Sequence, residues 1–423
     1  MAQNKFYTLL ASEDGNITEN PAYTAIGRNG RDSMREPHMD EMCIVPYASE
    51  YFLLPGRDPI GMKKGKREHF FEYGGQRAYA ISLIPPSGYT RTLLPAYHVH
   101  RKETLPFFAY TMGALFGEEV YMAAIQTDYS MRWDPAQYSS PDLKNKIKKK
   151  LKAFPENRLL KHLSNCATEY NCYNAQNIFY DRWEGGIPTS PSCNADCQGC
   201  ISKKRKKGVQ SPQDRIKFSP TVEEIEEIAT PHLQRHGGII SFGQGCEGEP
   251  LLQAELIEKA ILKVRSNTDQ GTIHINTNGS RRDQVEKLIA AGLNSIRISM
   301  NSVVKDNYDK FFRPTNYTFK DVKDSVKVAV DAGLFVSINY LTMPGFNDNE
   351  YEFGKFLEFL DLYKPSMVQM RNLNIDPDGF FEQMQTLKGK PLGIKTIVDT
   401  IKSRYQGKII VGNFNRSVKD DWE

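Results

Sequence analysis

The chain has no apolar run long enough to span a bilayer, so a membrane-spanning helix is not expected. Its opening residues, MAQNKFYTLLASEDGN, lack an apolar stretch behind a basic start. No secretory signal is therefore expected, and a cytoplasmic location is the default reading. Cysteine is scarce: 7 in 423 residues, an odd number thinly spread, which argues against a disulfide framework. An excess of one charge is also missing. The 55 basic and 51 acidic side chains leave +4, too slight a bias to mark a nucleic-acid-binding protein. No internal repeat is evident. What is present is ordinary globular composition, with length for two or three domains.

From about residue 215 onward, helical patterns alternate with short β-rich runs. Thr221-Val-Glu-Glu224 reads as a capping box opening the first helix. The strands GIISFGQG, Thr272–Gly279 (TIHINTNG), NSIRISMNS, FVSINYLTM, MVQMRNLNI and KIIVGNF then alternate with helices. Gly237, Gly292 and Gly333 stand where helices should turn into the next strand. With the segment before Cys193 as the first strand, about six βα units result. They predict an α/β fold with a parallel sheet and right-handed crossovers, either a partial barrel or a doubly wound open sheet. Residues 1–184 differ, being rich in Tyr, Pro and Gly turns. They predict a separate, smaller α+β domain with β-like runs such as RAYAISLI, and helical pattern at Thr104–Gln126 and Lys144–Cys172. The boundary is expected near Trp183–Pro191. This gives a domain at 1–184, a barrel at 185–415 and a tail at 416–423.

Three of the cysteines, Cys193, Cys197 and Cys200, lie within eight residues in CNADCQGC. Thiolates are soft ligands for zinc or iron–sulfur centres, and this spacing lets three converge from one loop. No fourth local cysteine closes the set, which points to an open coordination position. A structural zinc site completed by a distant His or Cys is the plain alternative.

The spacing C-x3-C-x2-C resembles that of the radical S-adenosylmethionine (radical SAM) superfamily, and further motifs follow in order. Glu247-Gly248-Glu249-Pro250 resembles the family's GGEP motif, Asn276-Thr277-Asn278-Gly279 its TNG strand end, and Met343-Pro344-Gly345 with Asn347 and Asp348 its PGxND turn. The resemblance covers roughly residues 188–415 and suggests a bacterial branch with an N-terminal extension. It implies a partial (β/α)6 barrel and a [4Fe–4S] cluster on Cys193, Cys197 and Cys200, with one iron left to chelate S-adenosylmethionine. It further implies that Glu249 binds the methionine amino group. Ser299 and Asn301 would contact ribose or methionine, Asn276 and Asn278 would also bind the cofactor, and Gly345 would lie near the adenine. Reductive cleavage would then yield a 5′-deoxyadenosyl radical that abstracts hydrogen from substrate. An electron donor such as flavodoxin or ferredoxin is implied as a partner. One departure is Gly199, where the family usually has an aromatic residue.

Other features are open to two readings. Glu249-Pro250 also suits a helix start, and Asn278-Gly279 a plain turn. Cys246 fits a buried, inert thiol. Cys166 and Cys172 would need Cys43 or Cys246 to hold a second centre, and packing is the plainer reading. His98 and His100 would share one strand face, as hydrogen-bonded side chains or a metal pair. Of the basic runs, Lys144–Lys152 fits a helix with a charged face, and Lys203–Lys207, directly after the cysteine loop, suggests a solvated charged loop or an anionic substrate such as a nucleotide, phosphate ester or RNA. Arg371, Asp376 and Asp378 would contact substrate or form an ion pair and a turn cap. Three functions follow: a radical SAM enzyme of unknown substrate; a nucleotide- or tRNA-modifying member; or a non-catalytic iron–sulfur or zinc protein. The N-terminal domain is expected to dock on the barrel and border its active site, where radical chemistry needs shielding from water.

Overall fold

The computed structural model describes residues 5–203, 209–384 and 389–419. Its centre is a sheet of seven strands, β1 Glu184–Gly186, β2 Ile239–Phe242, β3 Thr272–Thr277, β4 Ser295–Met300, β5 Phe335–Thr342, β6 Met367–Asn372 and β7 Ile410–Gly412. Every neighbouring pair is parallel, and spatial order follows chain order from β1 to β7. A doubly wound sheet reverses its strand order partway. The unbroken order is that of a partial barrel.

Helices return the chain between strands. Val222–Leu233 begins on the expected capping box, with Thr221 and Glu224 satisfying each other's backbone. Arg282–Ala291 ends on Gly292 in the left-handed region (φ +114°). Strands buried on both faces are usually continuous apolar runs, but these alternate. One face carries Ile273, Ile275, Ile296, Ile298, Val336 and Ile338, which join the helices in the main apolar core. The other is polar and in register around the lumen. Ser241 lies beside His274, Asn276 beside Arg297, Arg297 beside Ser337, and Asn339 beside both Ser299 and Gln369.

The N-terminal region is dominated by an eight-stranded antiparallel sheet, which includes Tyr7–Ala11, Ile17–Ala25 and Arg57–Lys63. Helix over Thr104–Gln126 is not what forms. That stretch carries the strands Gly113–Phe116, Glu119–Met122 and Ala124–Gln126. Gly117, at φ +64°, turns the chain between the first two. Their outer partners, Tyr7–Ala11 and Cys43–Ile44, are remote in sequence.

Three helices follow, α1 Leu143–Ala153, α2 Arg158–Glu169 and α3 Tyr173–Tyr180. Their buried side chains, Leu159, Leu160, Leu163 and Ile178 among them, share one apolar core with the barrel. Asn157, the cap of α2, donates to the backbone carbonyl of Glu224 (3.0 Å), and Arg158 pairs with the Glu224 carboxylate (2.8 Å). The capping acid of one barrel helix is thus also the anchor of α2. Among the described residues, no helix is long and apolar enough to cross a membrane.

Candidate active site

Strand β1 runs into the cysteine loop, and the loop is stitched to the segment after β2. Gly248 N–H donates to Ser190 O (2.6 Å) and Glu249 N–H to Ser192 O (2.8 Å). A Cβ on Gly248 would stand 1.8 Å from Ser192 O, so only glycine permits this approach. The two acids of EGEP behave differently. Glu247 accepts from the backbone N–H groups of Thr189, Ser190, Gly243 and Gln244 and from the Thr189 hydroxyl. It is saturated and serves as a buttress. Glu249 accepts from Leu251 N–H (3.0 Å), Asn278 N–H (2.9 Å) and the Thr277 hydroxyl. These three bonds leave one of a carboxylate's four acceptor positions unclaimed. Burial, partly offset by these bonds, pushes the Glu249 carboxyl up to about 7.

The Glu249 charge also reaches Cys193. Burial first and Glu249 second push that thiol up to about 11, and burial plus the two neighbouring thiols raise Cys197 further. Arg215 donates to Cys200 Sγ (3.5 Å). The three sulfurs do not all lie within 4.8 Å of one another. A single tetrahedral zinc ion, with 2.3 Å bonds, holds its thiolates roughly 3.8 Å apart. Desolvated thiols that repel one another across a wider span suit a polynuclear cationic centre better than one ion.

The motif residues fall around this loop. Asn278 donates to Asn194 Oδ1 (2.9 Å), joining the turn after β3 to the cysteine loop. Asn276 donates to Phe242 O (3.0 Å) and accepts from His274 Nε2 (3.0 Å). Ser299 accepts from Asn339 Nδ2 (2.8 Å). Asn301 is fully buried, and its Oδ1 has no hydrogen-bond partner among the described residues. In the turn after β5, Asn347 bonds Met343 N–H and Asn301 O, and Asp348 takes Gly345 N–H. Gly345 presses on the N-terminal backbone, where an added Cβ would lie 2.1 Å from Gly30. Gly199 packs under Leu373, Ile375 and Phe311, which fill the space beside it.

Inside the barrel is a cavity of about 390 Å³ lined by Glu184, Asn276, Arg297, Arg371, Asn413 and Asn415. Ile201 and Gln213 carry it to the cysteine loop, and Ser87 and Trp133 close it from the N-terminal side. Arg297 donates to Gln369 Oε1 (3.0 Å) and Arg371 to Asn413 (Oδ1, 2.7 Å). Neither guanidinium has an ion-pair partner among the described residues. Glu184 is engaged by Ser241 (2.5 Å) and Asn415 (2.7 Å). Burial, and then the other arginine, push Arg297 down to about 9. Arg297, Glu184, Asn413 and Asn415 escaped the sequence reading. The signal was there for Arg297: a cation alternating with Ile296 and Ile298 in a buried strand.

Asp376 caps the helix Pro377–Gln383, and Asp378 binds buried Arg28 (2.7 Å) and Tyr97 (2.9 Å). The cap and ion-pair reading therefore holds for these two acids, and Arg371 alone faces the cavity. His98 stacks on His69 (4.3 Å), whereas His100 bonds Asp58 (2.8 Å). Of the basic runs, Lys150 is tied to Asp181 and Lys203 to Asp196, while 204–207 lie outside the described residues. The N-terminal region docks along the strand ends. Arg91 donates to Leu373 O (2.8 Å), Asn372 to Tyr89 O (2.9 Å), and Asp128 accepts from Asn413 N–H (2.8 Å).

Part of the chain is similar to known proteins. Residues 187–357 match the family model of the Radical SAM superfamily. GTP 3′,8-cyclase of Lactiplantibacillus plantarum is 25% identical over 243 residues, covering 55% of this chain and 67% of the relative. Molybdenum cofactor biosynthesis protein 1 of Mus musculus is 24% identical over 228 residues, covering 52% of this chain and 32% of that protein. Among solved structures, methylornithine synthase superposes with a TM-score of 0.39 at 15% identity, over 63% of this chain and 74% of the other. The family works with a [4Fe–4S] cluster, S-adenosylmethionine and a reductant. Residues 187–357 thus form a Radical SAM superfamily domain within this chain.

Proposed function

We propose that Cys193, Cys197 and Cys200 hold the cluster of this radical SAM enzyme, and that its substrate is an anion seated in the barrel cavity. When bound and reduced, the cluster supplies the electron that cleaves S-adenosylmethionine to a 5′-deoxyadenosyl radical. The chain's own residues do the rest. Glu249, with one acceptor position left and a carboxyl perched near neutrality by burial, receives the methionine ammonium, whose charge favours the ionised form. Asn276, Asn278, Ser299, Asn301 and Gly345 surround the remainder of the molecule. The N-terminal region borders the cavity at Ser87 and Trp133 and acts as its cover. A flavodoxin or ferredoxin is the fitting reductant.

The single observation that carries the substrate class is the Arg297–Arg371 pair. Two half-buried guanidiniums with no ion-pair partner among the described residues line one cavity, and Glu184 acts on both only at a distance. Buried charge is costly unless compensated, so the cavity is built for a negative group. Bidentate guanidinium contacts suit phosphate or carboxylate. A purine nucleotide is the first substrate to test, in view of the 25% identity to GTP 3′,8-cyclase.

The test is GTP turnover by the anaerobically reconstituted, dithionite-reduced protein with S-adenosylmethionine. GTP should raise 5′-deoxyadenosine formation above the substrate-free level and be consumed. R371A should lower apparent GTP affinity by roughly 10–100-fold, the range for a lost charge-assisted bond, while substrate-free cleavage continues. If neither GTP nor an anionic fraction of cell extract stimulates cleavage, or if R297A and R371A respond like wild type, the anionic reading fails.

A further inference from the structure

A second constellation lies outside the radical site. His162 and Cys166 stand four residues apart on helix α2 and so share one helix face. Opposite them is Cys246, at the end of the turn after β2 and immediately before Glu247. The His162 imidazole and the Cys166 and Cys246 thiols have their ligand atoms all within 4.8 Å of one another, with both thiols buried and His162 half-buried. His162 Nε2 and Cys166 Sγ are 3.6 Å apart. A tetrahedral zinc ion with bonds of about 2.05 Å to nitrogen and 2.3 Å to sulfur sets that edge at roughly 3.6 Å. One edge thus already has the length such an ion sets, and the Cys246 sulfur lies within 4.8 Å of both its ends, in contrast to the wider set at Cys193, Cys197 and Cys200. Cys43, the other proposed partner, is in the N-terminal sheet, paired with Met122.

We infer that His162, Cys166 and Cys246 form a mononuclear site for a zinc-class divalent cation, which ties helix α2 to the loop carrying the S-adenosylmethionine motif. Neutral imidazole and two thiolates are borderline-soft donors, the set that zinc prefers. Binding displaces the two thiol protons. The bond the two thiols share draws Cys166 down and pushes Cys246 up. Cys172 stands outside the group but close enough that its thiol is raised chiefly by burial and then by charge on Cys166. The site has a mechanical consequence. Cys246 O accepts from Ile216 N–H (2.7 Å), and the next residue is the buttress Glu247. A metal here would fix the turn from which both EGEP acids hang.

This inference does not depend on the substrate, and its test does not read turnover. Zinc is measured in the holoenzyme after removal of loose metal, and its environment is read by zinc-edge X-ray absorption. The expected result is one zinc per chain with two sulfurs at about 2.3 Å and nitrogen at about 2.05 Å. C166S and C246S should each lose the zinc and keep the iron. The triple variant C193A/C197A/C200A should lose the iron and keep the zinc. Substoichiometric zinc in the wild-type holoenzyme, or a zinc edge without sulfur neighbours, overturns the site even if the serine variants fail to fold. So does zinc that survives in both serine variants, zinc lost with the triple variant, or iron lost from C166S and C246S.

Discussion

At the residue scale, the two EGEP acids show how neighbouring carboxylates acquire different roles. Glu247 takes five hydrogen bonds and holds the backbone, while Glu249 takes three and keeps one acceptor position open. E249Q should leave iron content unchanged and weaken S-adenosylmethionine binding by roughly 10–100-fold, the loss of one charge-assisted bond. Anaerobic equilibrium dialysis checks it, and unchanged affinity would reduce Glu249 to a helix cap. Buried histidines give a second expectation. His232 donates to Trp183 O (2.8 Å), and His274 bridges Ser295 and Asn276. Burial lowers them from 6.5 to about 4 and about 3. The folded state thus keeps both neutral where the unfolded chain takes up protons. Stability is full above about pH 6.5 and falls as pH drops toward 4 and then 3, by a few kcal/mol in all. Denaturant titrations at several pH values should show that slope, and its absence in H232Q would assign His232's share. The motif residues were legible because each stands at a strand end within a fixed order. The Arg297–Arg371 pair and the His162–Cys246 approach were not, since only folding brings together residues 74 and 84 apart.

At the scale of elements, the barrel was readable because each strand and helix carries its own period and terminators. The capping box at Thr221 and the left-handed Gly292 are local signals. The stretch Thr104–Gln126 was misread because its strands are defined by upstream partners, Tyr7–Ala11, Cys43–Ile44 and Tyr89–Arg91, whereas the hairpin turn at Gly117 is only a weak cue. Many polar links dock the N-terminal region on the barrel, and among them Asp378 is the one that faces two buried cations. It binds Arg28 (2.7 Å) and lies 3.8 Å from Arg57, both buried. D378N should cost roughly 2–4 kcal/mol, since it strands two buried cations. Calorimetry reads this directly, and a loss below about 0.5 kcal/mol, the level of an ordinary surface change, would show the link to be incidental.

At the scale of the molecule, helices α1–α3 share the barrel's core, although they precede β1 in the chain. A fragment of residues 185–423 should therefore be insoluble, or keep iron and lose substrate turnover. A fragment beginning near residue 139 retains those helices and should be the more soluble of the two. A soluble 185–423 barrel with full activity would show that the preceding residues neither complete the core nor cover the site. The most direct measurement is 5′-deoxyadenosine formation by the reconstituted, dithionite-reduced chain, beside C193A/C197A/C200A. Wild type should hold about four irons per chain, one cubane cluster, and cleave S-adenosylmethionine, and the triple variant should do neither. Cleavage that persists without these three thiols, or a wild-type chain that binds no iron after anaerobic reconstitution, would contradict the assignment of the radical centre to this loop.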